Sequence, residues 1–168
     1  MRARRAVLLP VSVLLLMAAP AEARAPSEGT LSVRDGRGMV QLSSRGTLIG
    51  RIERGKIWVT DPRPFDALRP IVLGAETVKK SRNSKTTQYS GRNIRLRSTR
   101  GYFHVRFQGR GIQLSAVGRG QGLIQGVPSD PLQPPVSDGF WSLNDEQYQS
   151  LPDEVTGFDL VGPPQVRE

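Results

Sequence analysis

Residues 102–120 read YFHVRFQGRGIQLSAVGRG. Phe103, Val105 and Phe107 alternate with His104 and Arg106, Gly109 and Gly111 interrupt, and Ile112 and Leu114 resume the alternation. Successive strand side chains point to opposite faces, so the apolar residues share a buried face while His104 and Arg106 turn outward. The same texture runs outward on both sides. Leu31 with Val33, Val40 with Leu42, Ile57 with Val59, and Ile94 with Leu96 all keep period two between glycine-marked breaks. Short apolar runs at intervals of about eight to ten residues are the signature of an all-β sandwich, barrel or small solenoid. No stretch before residue 140 carries helical periodicity. The expected fold is a glycine-punctuated antiparallel β-sandwich or small β-barrel over residues 30–126.

Asp35-Gly36 reads as a hairpin turn, because both residues tolerate positive φ. Ala75–Lys80 and Lys85–Tyr89 read as a second hairpin around Ser81-Arg82-Asn83-Ser84. Asp61-Pro62-Arg63-Pro64 reads as a loop, since proline cannot donate to a central ladder. A shift of 63 residues lays Arg37-Gly38 on Arg100-Gly101, Gly46 on Gly109, Ile49 on Ile112 and Gly55 on Gly118. Two similar halves, packed face to face or joined in one barrel, would give this pattern.

The N-terminus has the organisation of a secretory signal. Arg2, Arg4 and Arg5 precede the fourteen-residue apolar run Ala6–Ala19, and Ala21-Glu22-Ala23 supplies a small-x-small cleavage pattern. The run falls short of the ~20 apolar residues that span a bilayer. Cleavage after Ala23 is expected, which makes residues 1–23 a signal peptide, 24–29 a linker, and the mature protein secreted or wall-associated. Charge divides the remainder. Residues 24–126 hold twenty basic and six acidic side chains, whereas residues 127–168 hold one basic and eight acidic. Seven of the thirteen prolines also lie beyond Gly126, so residues 127–168 are expected to form an acidic, proline-rich tail. Phe140, Trp141, Leu143, Tyr148, Leu151 and Phe158 make that tail more than a spacer. A short helix near 143–150, capped by Ser142, would let it dock on an open sheet edge or on the basic face. The alternative is a free, disordered tail.

The glycine–apolar texture is similar to that of the bactofilin family of β-helical filament proteins. Bactofilins are cytoplasmic with a shorter and more regular repeat, so a signal segment and the irregular middle at 61–92 depart from their pattern. The stretches Leu31–Gly38, Gly50–Pro62 and Gly109–Gly120 resemble small secreted proteins of high-G+C actinobacteria. That resemblance implies a compartment and a β-fold, and it implies no site.

Chemistry is constrained by what the chain lacks. With no Cys and one His, disulfide scaffolds and Cys-ligated metals are excluded. His104 has no Gly-x-Ser-x-Gly elbow to serve. Gly109-x-Gly111 and Gly118-x-Gly120-x-Gly122 complete neither a dinucleotide fingerprint nor a phosphate loop. No cofactor, metal or catalytic residue is expected. The positive signal is basic. Arg95, Arg97, His104 and Arg106 are expected on the outward side of strands, with Lys79, Lys80, Arg82 and Lys85 at a hairpin tip. Together they form a candidate anion-binding face for cell-wall polymer or lipid headgroups. Six Arg-Gly dipeptides, at 37, 45, 54, 100, 110 and 119, sit where turns are required. Tyr89, Tyr102 and Trp58 are too few exposed aromatics for base stacking, which argues against specific nucleic-acid binding. The expected function is non-catalytic binding or structural duty at the cell envelope, with a small secreted hydrolase or an extracellular nucleic-acid-binding module as alternatives.

Overall fold

The computed structural model describes residues 27–62, 69–82, 85–127 and 138–162. The signal segment, Arg63-Pro64 of the 61–64 loop, Asn83-Ser84 of the 81–84 turn and residues 128–137 of the proline-rich tail lie outside them. The described chain is all-β, with strands β1 (Gly29–Thr60), β2 (Ile71–Leu73), β3 (Thr77–Lys80), β4 (Thr86–Ser98), β5 (Tyr102–Gly126), β6 (Phe140–Leu143), β7 (Gln149–Ser150) and β8 (Thr156–Leu160). All pairings are antiparallel and join one sheet. The sheet is sandwich-like and does not close into a barrel. Among the described residues no helix is long and apolar enough to cross a membrane.

Two long strands wound around each other generate the sandwich. β1 pairs with β5 in two registers: Ala116 meets Leu31 on one side and Leu48 on the other, and Leu42 meets Val105 on one side and Gly122 on the other. A strand can neighbour two passes of the same partner only by bending back over itself. The bends fall at glycine. Gly91, Gly55, Gly109, Gly38 and Gly126 lie opposite one another in turn across five strand passes. A second row runs Gly29, Gly118, Gly46, and the Gly46 N–H donates to the Gly101 carbonyl at 3.1 Å. Between the two seams the ribbon forms two layers. Residues 39–45, 56–60, 86–90, 102–108 and 119–125 lie in the first, with β8 and β3 at its edges. Residues 30–34, 47–53, 93–98 and 112–117 lie in the second, edged by β6 and β2.

Period two holds within each segment, and the inward residues are the apolar ones. Leu31, Val33, Val40, Leu42, Leu48, Ile52, Ile57, Ile94, Leu96, Phe107, Ile112 and Leu114 are all at most 3% exposed. The inward parity changes at the first seam, from Val33 to Val40 and from Phe107 to Ile112, and is kept across the second. A bulge adds one residue and turns the next side chain to the other face. Asp35, Asn93 and Gly111, at φ of 50°, 53° and 65°, are the left-handed residues that make these bulges. The layers meet closely: a Cβ on Gly50 would lie 2.6 Å from Phe107 Cζ across the core.

The 63-residue shift is consistent with the pairing. It turns Gly55 opposite Gly109 into Gly118 opposite Gly46, and both pairs are present. Leu42 and Val105, 63 residues apart, face each other directly. The stretches that this shift relates are β1 and the β4–β5 arm, which interwind within one sheet.

Three local expectations meet a different outcome or an added one. Asp35-Gly36 is a bulge inside β1 and not a hairpin turn, because β1 keeps pairing with β5 on both sides of it. The hairpin of β3 and β4 is present, from Thr77 opposite Ser90 to Lys80 opposite Thr87. The helix expected near 143–150 is absent. β6 ends at Leu143, Asn144 and Asp145 both take positive φ, and the Ser142 hydroxyl donates to the Glu146 carbonyl at 2.6 Å instead of capping an N–H.

The sheet also crosses the composition boundary at Gly126. β6 pairs with β1 from Leu31 opposite Leu143 to Arg34 opposite Phe140, and β8 pairs with β5. Trp141, Leu151, Phe158 and Leu160 join the core, with the Trp141 and Phe158 rings 5.8 Å apart.

Candidate anion-binding surfaces

The eight basic residues singled out in the sequence do not form one patch. Leu96 is buried in the second layer, so Arg95 and Arg97 stand on that layer's outer face. Phe103, Val105 and Phe107 are buried in the first layer, so His104 and Arg106 stand on the opposite outer face. Lys79 lies opposite Gln88 at the first layer's edge, Lys80 lies opposite Thr87, and exposed Arg82 and Lys85 stand beyond the strand ends.

On the first-layer face His104 and Arg106 are engaged by neutral partners. His104 Nδ1 and Ser43 Oγ are hydrogen-bonded at 2.6 Å, and the Tyr102 ring meets the imidazole edge-on at 5.1 Å. The Arg106 guanidinium lies 5.5 Å from the centre of the Trp58 ring, whose Nε1–H donates to Gln88 Oε1 at 3.1 Å. Gln41, Ser43, Thr60, Thr86 and Gln121 fill the positions around them. Amide, hydroxyl and aromatic groups thus surround His104 and Arg106, while Lys56, Arg45 and Arg119 stand exposed toward the ends of the same layer.

Charge concentrates at two other places. The first is the glycine seam. Arg54 lies directly opposite Arg92 on one side and Arg110 on the other, and Arg37 borders the same shallow depression as Arg54 and Arg110. All four are exposed, and none makes an ion pair among the described residues. Adjacent strands are about 4.8 Å apart, so this is a row of like charges at close, regular spacing. Like charges directly opposite destabilise a sheet. Three of the four belong to Arg-Gly dipeptides, which the sequence marks as turn chemistry. Their convergence needs the long-range register that only the folded chain supplies.

The second place is a groove of about 590 Å³ on the second-layer face. Arg34, Arg51, Arg95 and Arg97 surround it, and Ile49, Ile71 and Leu73 form its apolar lining. These three aliphatic side chains are 56%, 58% and 62% exposed. Arg34 is held over the Tyr148 ring at 4.2 Å, and the buried Arg51 Nε meets no hydrogen-bond acceptor. No carboxylate lines the groove among the described residues. Asp35, bonded to Gln113 Nε2 at 3.2 Å, approaches its end. Of the four arginines, the sequence reading identified Arg95 and Arg97. Arg34 and Arg51 escaped it because they lie on β1, more than forty positions away in sequence.

Protein-family models, curated proteins and solved structures yield no match to the chain.

Proposed function

We propose that this chain is a secreted, non-catalytic binding protein of the cell envelope that takes an anionic polymer on its arginine-rich seam. The observation that carries the reading is the Arg92–Arg54–Arg110 row, three exposed arginines in register on adjacent strand passes, none of them in an ion pair among the described residues. Folding brings these charges together at a cost, and a multivalent anion laid along the seam would offset both like-charge contacts at once. The charged N-terminal start, apolar run and Ala21-Glu22-Ala23 pattern support export. Outside the membrane, wall phosphate polymers and acidic glycans have the required charge density.

Arg54→Gln tests the reading in two ways. It removes two like-charge contacts, each worth roughly 0.2–1 kcal/mol, so the variant should melt higher than the parent at low salt, with the gap closing near 1 M salt. The same variant should bind isolated cell envelopes several-fold less well in a pelleting assay, while Lys79→Gln binds like the parent. Envelope binding that is absent at low salt, or that ignores both salt and Arg54, would reduce the row to solvated surface.

A further inference from the structure

We propose that the groove on the second-layer face is a binding site for a single-chain anionic amphiphile, with the acyl chain along Ile49, Ile71 and Leu73 and the anionic head among the arginines. The proposal stands on the groove alone and is independent of the seam.

The register interleaves the two kinds of side chain. In one row across the strands, Ile49 lies opposite Arg97 and Arg97 opposite Ile71. In the next, Arg51 lies opposite Arg95 and Arg95 opposite Leu73. Every methyl-bearing side chain thus stands beside a guanidinium. A phosphate polymer would leave the aliphatic lining wet, and a neutral glycan would leave the arginines without a counter-charge. An anion carrying a hydrocarbon chain satisfies both, and a volume of about 590 Å³ falls within the ~300–1,000 Å³ of small-molecule pockets.

Arg51 supplies the second, independent sign. Its Nε is buried and lacks an acceptor. A buried donor left unpaired is costly, so an acceptor arriving from the groove is strongly favoured. Arg34 is already oriented, since the Tyr148 ring holds its guanidinium. That contact fixes one side of the groove before any ligand enters.

The test titrates the mature chain, Arg24–Glu168, with n-decyl phosphate below its micelle concentration. Decyl maltoside supplies the same chain on a neutral head, and inorganic phosphate the head without a chain. Methyl resonances of Ile49, Ile71 and Leu73 report where binding occurs. Decyl phosphate should bind at least about tenfold more tightly than either control, and each methylene added from octyl to decyl phosphate should gain about two- to fourfold. Arg51→Gln and Ile49→Ser should each weaken binding about fivefold or more, with a melting temperature no lower than the parent's as the check that the sandwich is intact.

Equal affinity for decyl maltoside would overturn the role of the arginines, and equal affinity for inorganic phosphate the role of the lining. No binding, or binding indifferent to both variants, would overturn the site altogether. Arg54→Gln, outside the groove, should leave decyl phosphate affinity unchanged. If salt-sensitive envelope binding persists while decyl phosphate fails, the groove proposal falls and the seam reading stands. The converse pattern removes the seam reading and keeps the groove.

Discussion

A chain truncated after Gly126 should lose its cooperative thermal transition, although every residue of the basic segment is retained. The removed segment carries β6 and β8, and with them Trp141, Leu151, Phe158 and Leu160, which are 7%, 4%, 8% and 0% exposed. Truncating one such side chain to alanine costs about 2–5 kcal/mol. Four together match or exceed the ~5–15 kcal/mol by which a domain is stable at all. The truncation also strips hydrogen-bonding partners from residues 31–34 of β1 and 120–124 of β5. Two exposed strand edges would result, which favours association with other chains. The milder Trp141→Ala should still fold and lose about 3–5 kcal/mol. Differential scanning calorimetry reads both, and a truncated chain melting close to the parent would refute a structural role for the segment. Tail deletion is therefore a poor probe of whether acidic residues compete for the basic surface. Neutralising exposed Asp145, Glu146, Asp153 and Glu154 to the corresponding amides separates charge from packing.

The parts of this fold legible in the sequence are those set by neighbours within a few positions. Phe103, Val105 and Phe107 point inward and His104 and Arg106 outward because strand alternation depends on nothing beyond the strand itself. The β3–β4 pairing is legible for the same reason: its strands are close in sequence. What local patterning does not hold is the partner. Asp35-Gly36 carries positive-φ chemistry that suits a hairpin turn or a bulge equally, and β5, nearly eighty residues away, decides between them by pairing along β1 on both sides of Asp35. Composition misdirects at Gly126, since charge and proline content describe the solvent-facing half of a segment. The alternate residues of 140–160, Trp141 and Phe158 and Leu160, complete the core. The basic residues show the same limit. That Arg95 faces outward follows from Leu96 facing in, but that Arg51 and Leu73 flank it follows only from two pairings with distant strands.

Replacing a seam glycine should be as damaging as emptying the core, and Gly38→Ala is the sharpest case. Gly38 sits at φ 138°, where a side chain is strained, and it lies opposite both Gly109 and Gly126. A Cβ there would overlap the Gln125 carbonyl oxygen and approach Gly126 Cα to 2.9 Å. The obstacle is backbone on an adjacent strand, so no rotamer change relieves it. Either β1 abandons its bend or the β1–β5 ladder opens, and the bend is what stacks the two layers. Strain of roughly 1–3 kcal/mol at the residue adds to the lost ladder bonds, for a total of about 3 kcal/mol or more. For a chain of this length that lowers the melting temperature by roughly 10 °C. Gly109→Ala should behave alike, since its Cβ would run into the Arg54 carbonyl oxygen at φ 152°. Gly157→Ala is the control. It lies in β8, where the nearest atom to an added Cβ is Leu123 Cδ2 at 3.8 Å, an ordinary contact. Losing glycine's extra freedom in the unfolded chain should leave that variant as stable as the parent, or up to about 1 kcal/mol more so. A Gly38→Ala melt within a degree or two of the Gly157→Ala melt would mean that the seam does not bend the ribbon. The two-layer arrangement would then need another cause.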